Sequence, residues 1–456
     1  MAGATRPVAG ARRPYRFPDT ERHVLGNGLT VHVARLERLP VATALLMADA
    51  GGECDDVGGA GAAALTADAL AEGTKRRDAV ALTDAFERLG GELATGVTWT
   101  YAECSTTVLS PRLGDALQLL AEVASEPAFP ESEVERLRQE RLAELLQQRT
   151  EPRGLADDMF ARFTFAPESR YACAEGGDEA TVGGLTRASL AAHHARFIVP
   201  RRSRLIVTGD VDPGLVVQLA EQAFGGWQVE GGTAPEIVVG AAHAERGVHL
   251  VAKADAPQSE LRIGHLSVPR THPDFHALSV MNAILGGLFN SRINLNLRER
   301  NAYTYGAFTS FDWRRRASAF EASTAVRSDV TAAAVREILD EIDRIRAERV
   351  SASELSLAVD YLTGVFPIRF ETTAAIADAL AMREGFGLPD DYYDTYRERI
   401  AAVSADDVLR VAQAHLEPAR LQVVAVGDAK GVRDSLAALG VGAVREYDAL
   451  GRPTSE

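Results

Sequence analysis

The sequence predicts an α+β fold built from two homologous sheet-plus-helices domains in tandem. The first observation behind this is an internal repeat. Leu185-Thr-Arg-Ala-Ser-Leu190, Pro200 and Arg204-Leu-Ile-Val-Thr-Gly-Asp210 recur as Val403-Ser-Ala-Asp-Asp-Val408, Pro418 and Arg420-Leu-Gln-Val-Val-Ala-Val-Gly-Asp428. Thr186 and Ser404, Pro200 and Pro418, and Gly209 and Gly427 each stand 218 positions apart. A period this long marks duplicated domains, because solenoid repeats run to about 20–50 residues. The second observation is that strand-like blocks give way to amphipathic helical blocks in the same order in both halves, the pattern of a sheet covered by helices. The third is residues 229–243, which carry Gly231, Gly232 and Pro235 with little periodicity and read as a linker. They separate a first domain, residues 1–228, from a second, residues 244–456.

Along the first half, His23 to Val33 is a hairpin around Asn27-Gly28, a pair suited to positive φ at both turn positions. A strand from Val41 to Met47 follows. Ala62 to Glu72 is an alanine-rich helix stopped by Gly73, and Asp78 to Leu89 is a second one stopped by Gly90-Gly91. Glu92 to Leu109 alternates as a β-hairpin, and long helices occupy 111–125 and 131–149. In each repeat copy Thr186 or Ser404 caps a helix, and proline then stops it. An apolar strand comes next, and Gly-Asp leads into a last helix (Pro213 to Phe224; Lys430 to Leu439). The second half predicts strands near 247–268, helices 274–285 and 291–299, strands within 303–326, and helices 329–348 and 352–365. Arg314-Arg315-Arg316 falls between two strand-like runs and reads as a solvated hairpin tip.

The chain has 456 residues, 46% hydrophobic and 25% charged, enough for more than one core. No apolar run approaches the roughly 18 residues that span a bilayer. Arg6, Arg12 and Arg13 have no apolar stretch behind them, so no secretory signal is expected. Cys54, Cys104 and Cys173 are odd in number and lack C-x-x-C spacing, which suits a reducing, cytoplasmic setting. The net charge of −15 keeps a large protein dispersed and argues against nucleic acid, which wants a basic face. Cationic peptides are compatible with it.

Metal and nucleophile signatures are missing. There is no H-E-x-x-H or H-x-x-E-H, and no G-x-S-x-G elbow or P-loop. His193 and His194 are adjacent on a helix and point apart. His272 and His276 share a spacing of four, but at a helix start, and read as surface or capping residues because a zinc site wants three or four ligands.

Gly61-Ala-Ala-Ala64-Leu-Thr-Ala67-Asp68-Ala-Leu-Ala-Glu-Gly73-Thr74 resembles the zinc helix of the pitrilysin/insulinase metallopeptidases, which carries H-x-x-E-H and ends in Gly-Thr. The resemblance puts Ala64 at the first histidine, Ala67 at the catalytic glutamate and Asp68 at the second histidine. Glu144, 76 residues on, matches the third ligand. Alanine has no donor atom, Asp68 is shorter than histidine, and Ala67 removes the base that would activate zinc-bound water. The chain is therefore expected to hold no metal or cofactor of its own, with zinc in the partner subunit, and to be inactive alone. In the second half, Leu285-Gly286-Gly287 through Arg298 to Tyr305-Gly306-Ala307-Phe308 resembles the segment of that family whose arginine and tyrosine, seven apart, contact substrate near the scissile bond. Arg298 and Tyr305 match them; Ala302 departs from the glycine common there. The resemblance implies a non-catalytic subunit of a heterodimer. It would close a chamber with a zinc-bearing H-x-x-E-H paralogue and offer Arg298 and Tyr305 to an extended peptide. Neither nucleic acid nor a membrane is expected as partner. The competing expectation is a structural or peptide-binding homologue with no part in proteolysis.

Overall fold

The computed structural model describes residues 13–454; the N-terminal reading from Arg6 and Arg12 lies outside them. Twelve strands form two six-stranded sheets. The first holds β1 (Thr20–Val24), β2 (Thr30–Arg35), β3 (Val41–Ala48), β4 (Ala94–Val97), β5 (Ala102–Leu109) and β6 (Ser203–Gly209), in the order β1-β2-β6-β3-β5-β4. The second holds β7 (Gly247–Ala252), β8 (Gln258–Ser267), β9 (Ala307–Asp312), β10 (Ser318–Arg327), β11 (Gln422–Gly427) and β12 (Val444–Tyr447), in the order β12-β7-β11-β8-β10-β9. Five strands therefore repeat one arrangement: β2-β6-β3-β5-β4 and β7-β11-β8-β10-β9. In each, the first pair is parallel and the rest antiparallel.

Local chemistry explains why the copies coincide. Thr186 and Ser404 both form capping boxes, the first with Ser189 and the second with Asp407. Pro200 and Pro418 each open a short 3₁₀ turn before the strand. Gly209 and Gly427 end those strands. The opening hairpin turns at Asn27-Gly28, with Gly28 at φ 91°. The Asn27 amide pins it by donating to the carbonyls of Phe224 (2.8 Å) and Trp227 (3.1 Å).

Both faces of the central strands are buried, and the two faces are served by different parts of the chain. In β3, Ala44, Leu46 and Ala48 join a core formed with the helices of the first half. Leu45 and Met47 join a core dominated by the second half. The cover on that outer face is helix Thr373–Phe386, whose Thr373 hydroxyl meets that of Thr43 at 2.8 Å. The reverse also holds. Helix Pro152–Thr164, from the first half, covers β8 and β11 of the second sheet. Its Leu155, Met159, Phe160 and Phe163 pack with Val424 and Val426. Asp157 accepts from Arg262 of β8 at 2.6 Å. Gly264 permits this approach, since a Cβ there would lie 2.7 Å from Phe160 Cζ and 1.8 Å from the Phe320 carbonyl. Each domain thus lends a helix to the other's sheet.

Two expectations need correction. Arg314 is not a solvated tip residue. It lies at the β9–β10 turn, only 6% exposed, with its guanidinium over the rings of Trp99 (4.1 Å), Tyr171 (4.7 Å) and Phe165 (4.9 Å). Arg315 donates to the Gly385 carbonyl at 2.6 Å, so the cluster plugs the domain junction and only Arg316 is exposed. Tyr303 to Gly306, expected in a strand, form an irregular loop before β9, tied by the Thr304 hydroxyl to the Gly306 carbonyl at 2.9 Å. Among the described residues, no helix is long and apolar enough to cross a membrane.

Candidate functional site

Helix Ala62–Ala69 is held at its N-terminus by a buried carboxylate. Asp55 accepts from the backbone N–H of Gly61 and of Ala63, each at 2.9 Å, which satisfies donors that a helix start leaves free. Gly61 sits at φ 96°, and a Cβ on it would lie 2.8 Å from the Gly176 carbonyl. Burial lifts the Asp55 carboxyl to about 6, against the pull of Arg170, whose Nη2 is 3.3 Å away. The His193 ring meets Asp55 at 3.5 Å and the Ala50 carbonyl at 3.1 Å, while His194 turns to the Ala124 carbonyl at 2.8 Å. The adjacent histidines thus serve separate carbonyls. The helix tightens into a 3₁₀ turn at Leu70–Glu72 and ends at Gly73, φ 115°.

On this helix Ala67 is buried and Ala64 half-buried, and neither offers a donor atom. Asp68 is exposed at the surface. Its carboxyl is raised above the ordinary range, first by the protein around it and then by the like charge of Glu144; Arg141 opposes both. Glu144, on helix Glu131–Thr150, accepts from Arg141 Nη1 at 3.1 Å. Arg141 Nε donates in turn to the Gly176 carbonyl at 3.2 Å. The structure therefore gathers Asp68 and Glu144 around an arginine. A catalytic zinc needs three firm ligands, and a neighbouring guanidinium repels a divalent cation. The residues at these positions do not fit that metal. Sequence reasoning found both carboxylates but passed over Arg141, although Arg141 and Glu144 are spaced three apart on one helix face.

The second half presents a different surface. The helix Phe275–Asn282 continues into a π turn, Ala283–Gly287, and a second π turn, Leu295–Arg300, carries Arg298. Such turns re-aim side chains and recur at functional sites. A Cβ on Gly286 would lie 2.5 Å from the Thr309 nitrogen, so the turn can press directly on β9. Three asparagines fix the segment. Asn294 accepts from the Ala307 N–H at 3.0 Å and donates to the Phe289 carbonyl at 2.6 Å. Asn296 donates to Glu337 at 2.9 Å and to Glu341 at 3.0 Å. Asn301 donates to the Asn296 side chain at 2.6 Å. Ala302 then adopts φ 53°, a left-handed conformation that glycine tolerates better.

On this support the Arg298 guanidinium lies over the Phe289 ring at 4.5 Å, with Glu299 at 3.5 Å. Tyr305 is 94% exposed, and its hydroxyl has no hydrogen-bond partner among the described residues. Phe289 and Phe308 are also exposed nearby in sequence. Among the described residues, no hydrogen bond or ion pair joins Arg298 or Tyr305 to each other, to Asp68 or to Glu144. A guanidinium can hold a carbonyl or carboxylate with several donors, and a phenol can donate to an oxyanion. β4 and β9 close one end of each sheet, and an edge strand can accept an extended peptide.

Comparison with known proteins agrees with this fold. The family model for insulinase, peptidase family M16, matches residues 31–170, and that for the peptidase M16 inactive domain matches residues 184–362. An uncharacterized zinc protease of Mycobacterium tuberculosis is 26% identical over 411 residues, covering 89% of this chain and 92% of that protein. The probable mitochondrial-processing peptidase subunit beta of Schizosaccharomyces pombe is 24% identical over 449 residues, covering 92% and 93%. A crystal structure of a peptidase M16 inactive domain from Pseudomonas fluorescens is similar with a TM-score of 0.84 at 24% identity, covering 90% of this chain and 98% of that one.

Proposed function

The chain belongs to the insulinase family of peptidases, family M16, and from that premise we propose that it is the non-catalytic half of a heterodimeric zinc metallopeptidase. The observation that carries the proposal is a division of equipment. Ala64 and Ala67 leave two positions of the first half's zinc-like helix without donor atoms, while Tyr305 in the second half is almost fully exposed with no partner among the described residues. A phenol in that state is suited to a group arriving from outside. In this reading a paralogue carrying H-x-x-E-H supplies the zinc and the chemistry of cleavage. This chain closes the chamber, and Arg298 and Tyr305 hold the peptide carbonyl beside the bond to be cut. The peptide is extended, since an edge strand accepts only unfolded chain. The three cysteines are free thiols, which supports a cytoplasmic setting.

The test is co-expression with the paralogue. The expected result is a stable pair whose peptidase activity requires both chains. Full activity of the paralogue without this chain overturns the reading. A stable homodimer that binds peptide and refuses the paralogue favours a peptide carrier instead.

A further inference from the structure

His272, Asp274 and His415 stand together on the second domain, far from Asp68 in sequence and on different elements. Asp274 precedes helix Phe275–Asn282, and His415 ends helix Ala405–His415, which packs against it. His415 Nε2 lies 2.7 Å from Asp274 Oδ2, and His272 Nδ1 lies 4.0 Å from the same oxygen. One donor atom from each of the three lies within 4.8 Å of the other two. Two imidazoles and a carboxylate are a donor set for borderline divalent transition metals. With bonds of about 2.0–2.2 Å, tetrahedral donors sit about 3.4 Å apart. The observed separations bracket that value, so small side-chain rotations suffice. The side chains of His272, Asp274 and His415 are 29%, 20% and 12% exposed, which gives an ion an entry path and leaves room for water as a fourth ligand.

We propose that His272, Asp274 and His415 bind one divalent transition-metal ion of the zinc class, clamping the start of one helix to the end of the other. Arg410 donates to both Asp274 oxygens, at 2.8 and 3.1 Å. That arginine is 53% exposed and can swing into solvent. The His272 Nδ1 lone pair, which now accepts from the Asp274 N–H at 3.1 Å, turns to the ion. Coordination through His415 Nε2 replaces the His415–Asp274 hydrogen bond, and the neutral ring then carries its one proton on Nδ1. The site is structural and does not depend on a partner chain.

The experiment is equilibrium dialysis of the full chain against zinc sulfate, followed by metal analysis. One zinc per chain is expected with a micromolar dissociation constant. His272→Ala and His415→Ala should each weaken it by about tenfold or more, since each removes one of three ligands. Glu144→Ala and Asp68→Ala should leave it unchanged. Cobalt(II) in place of zinc should give the visible absorption of a tetrahedral site, lost in both histidine variants. If His415→Ala unfolds, His272→Ala decides alone, because among the described residues the His272 ring hydrogen-bonds only its own backbone turn. No bound zinc at about 100 µM, zinc that survives both histidine changes, or zinc lost with Glu144→Ala would each overturn the proposal.

Discussion

Arg141 and Glu144, one helical turn apart, form an ion pair at 3.1 Å, and Arg141 also offsets the repulsion between Glu144 and Asp68. The charge that a metal would bring to two converging carboxylates is supplied here by a side chain. Restoring ligands alone should therefore be insufficient. The triple change Ala64→His, Ala67→Glu and Asp68→His should bind zinc weakly at this helix. Adding Arg141→Val should tighten binding by about tenfold, as a like charge leaves the immediate surroundings of the ion. Chelator competition, in a His272→Ala background, measures both. Equal affinity with and without Arg141 would show that the guanidinium is a bystander.

Tyr305 and Arg298 should affect the reconstituted pair differently. If the phenol donates to the developing oxyanion, Tyr305→Phe should lower turnover by about 10²–10³ with little change in the Michaelis constant. Arg298→Ala should also raise the Michaelis constant, because a cation holds the ground state too. Steady-state kinetics, with gel filtration to verify assembly, separates these effects. Wild-type rates from both assembled variants would make this chain a scaffold.

Ala302 carries a backbone cost that glycine would not. At φ 53° its Cβ crowds the backbone, and Ala302 is solvent-exposed, so nothing packs against the methyl in return. Ala302→Gly should stabilise the protein by about 0.5–1 kcal/mol, the left-handed penalty less the extra freedom of glycine in the unfolded chain. Denaturant titration reads this directly. A loss of stability would mean that the turn tolerates alanine without strain.

Glu103 predicts a pH dependence. Burial, and then the like charge of Asp378 on the lent helix, raise its carboxyl from 4.5 to about 7. The folded protein therefore keeps a proton that the unfolded chain has released between those values. Stability should fall as pH rises through that window and level off above it. Glu103→Gln removes the effect. It should gain about 1–2 kcal/mol at pH 8, discounted for partial exposure, and almost nothing at pH 4.5. Unfolding curves at the two pH values decide, and an equal gain at both would refute the linkage.

Local signals in the sequence carried much of this fold. The caps at Thr186 and Ser404, the Asn27-Gly28 turn and the helix from Pro213 to Phe224 are written in short-range chemistry, and all appear as expected. What escaped was long-range. Helices Pro152–Thr164 and Thr373–Phe386 have a pattern that makes sense only against the opposite domain's sheet. Arg314 reads as a surface charge until Trp99 and Tyr171 close over it. His272 pairs by spacing with His276, four residues on, but its neighbours in the fold are Asp274, two residues on, and His415 from a distant helix. At the candidate site, Ala64, Ala67, Asp68, Glu144, Arg298 and Tyr305 are legible only through the resemblance of their two segments to family motifs. The π turns that aim Arg298 have no local sequence signature.

The lent helices also bear on how this protein comes off the ribosome. When residues 1–228 have been made, the sheet carrying Leu45, Met47 and Ile206 still lacks the cover that Thr373–Phe386 provides. Its own helix, Pro152–Thr164, waits equally bare for strands not yet translated. Synthesis therefore passes through a stage with two greasy surfaces open at once, at a time when misassociation is easiest. Neither half should behave well as a separately expressed fragment. Two fragments made together should find each other, because each finishes the other's interior.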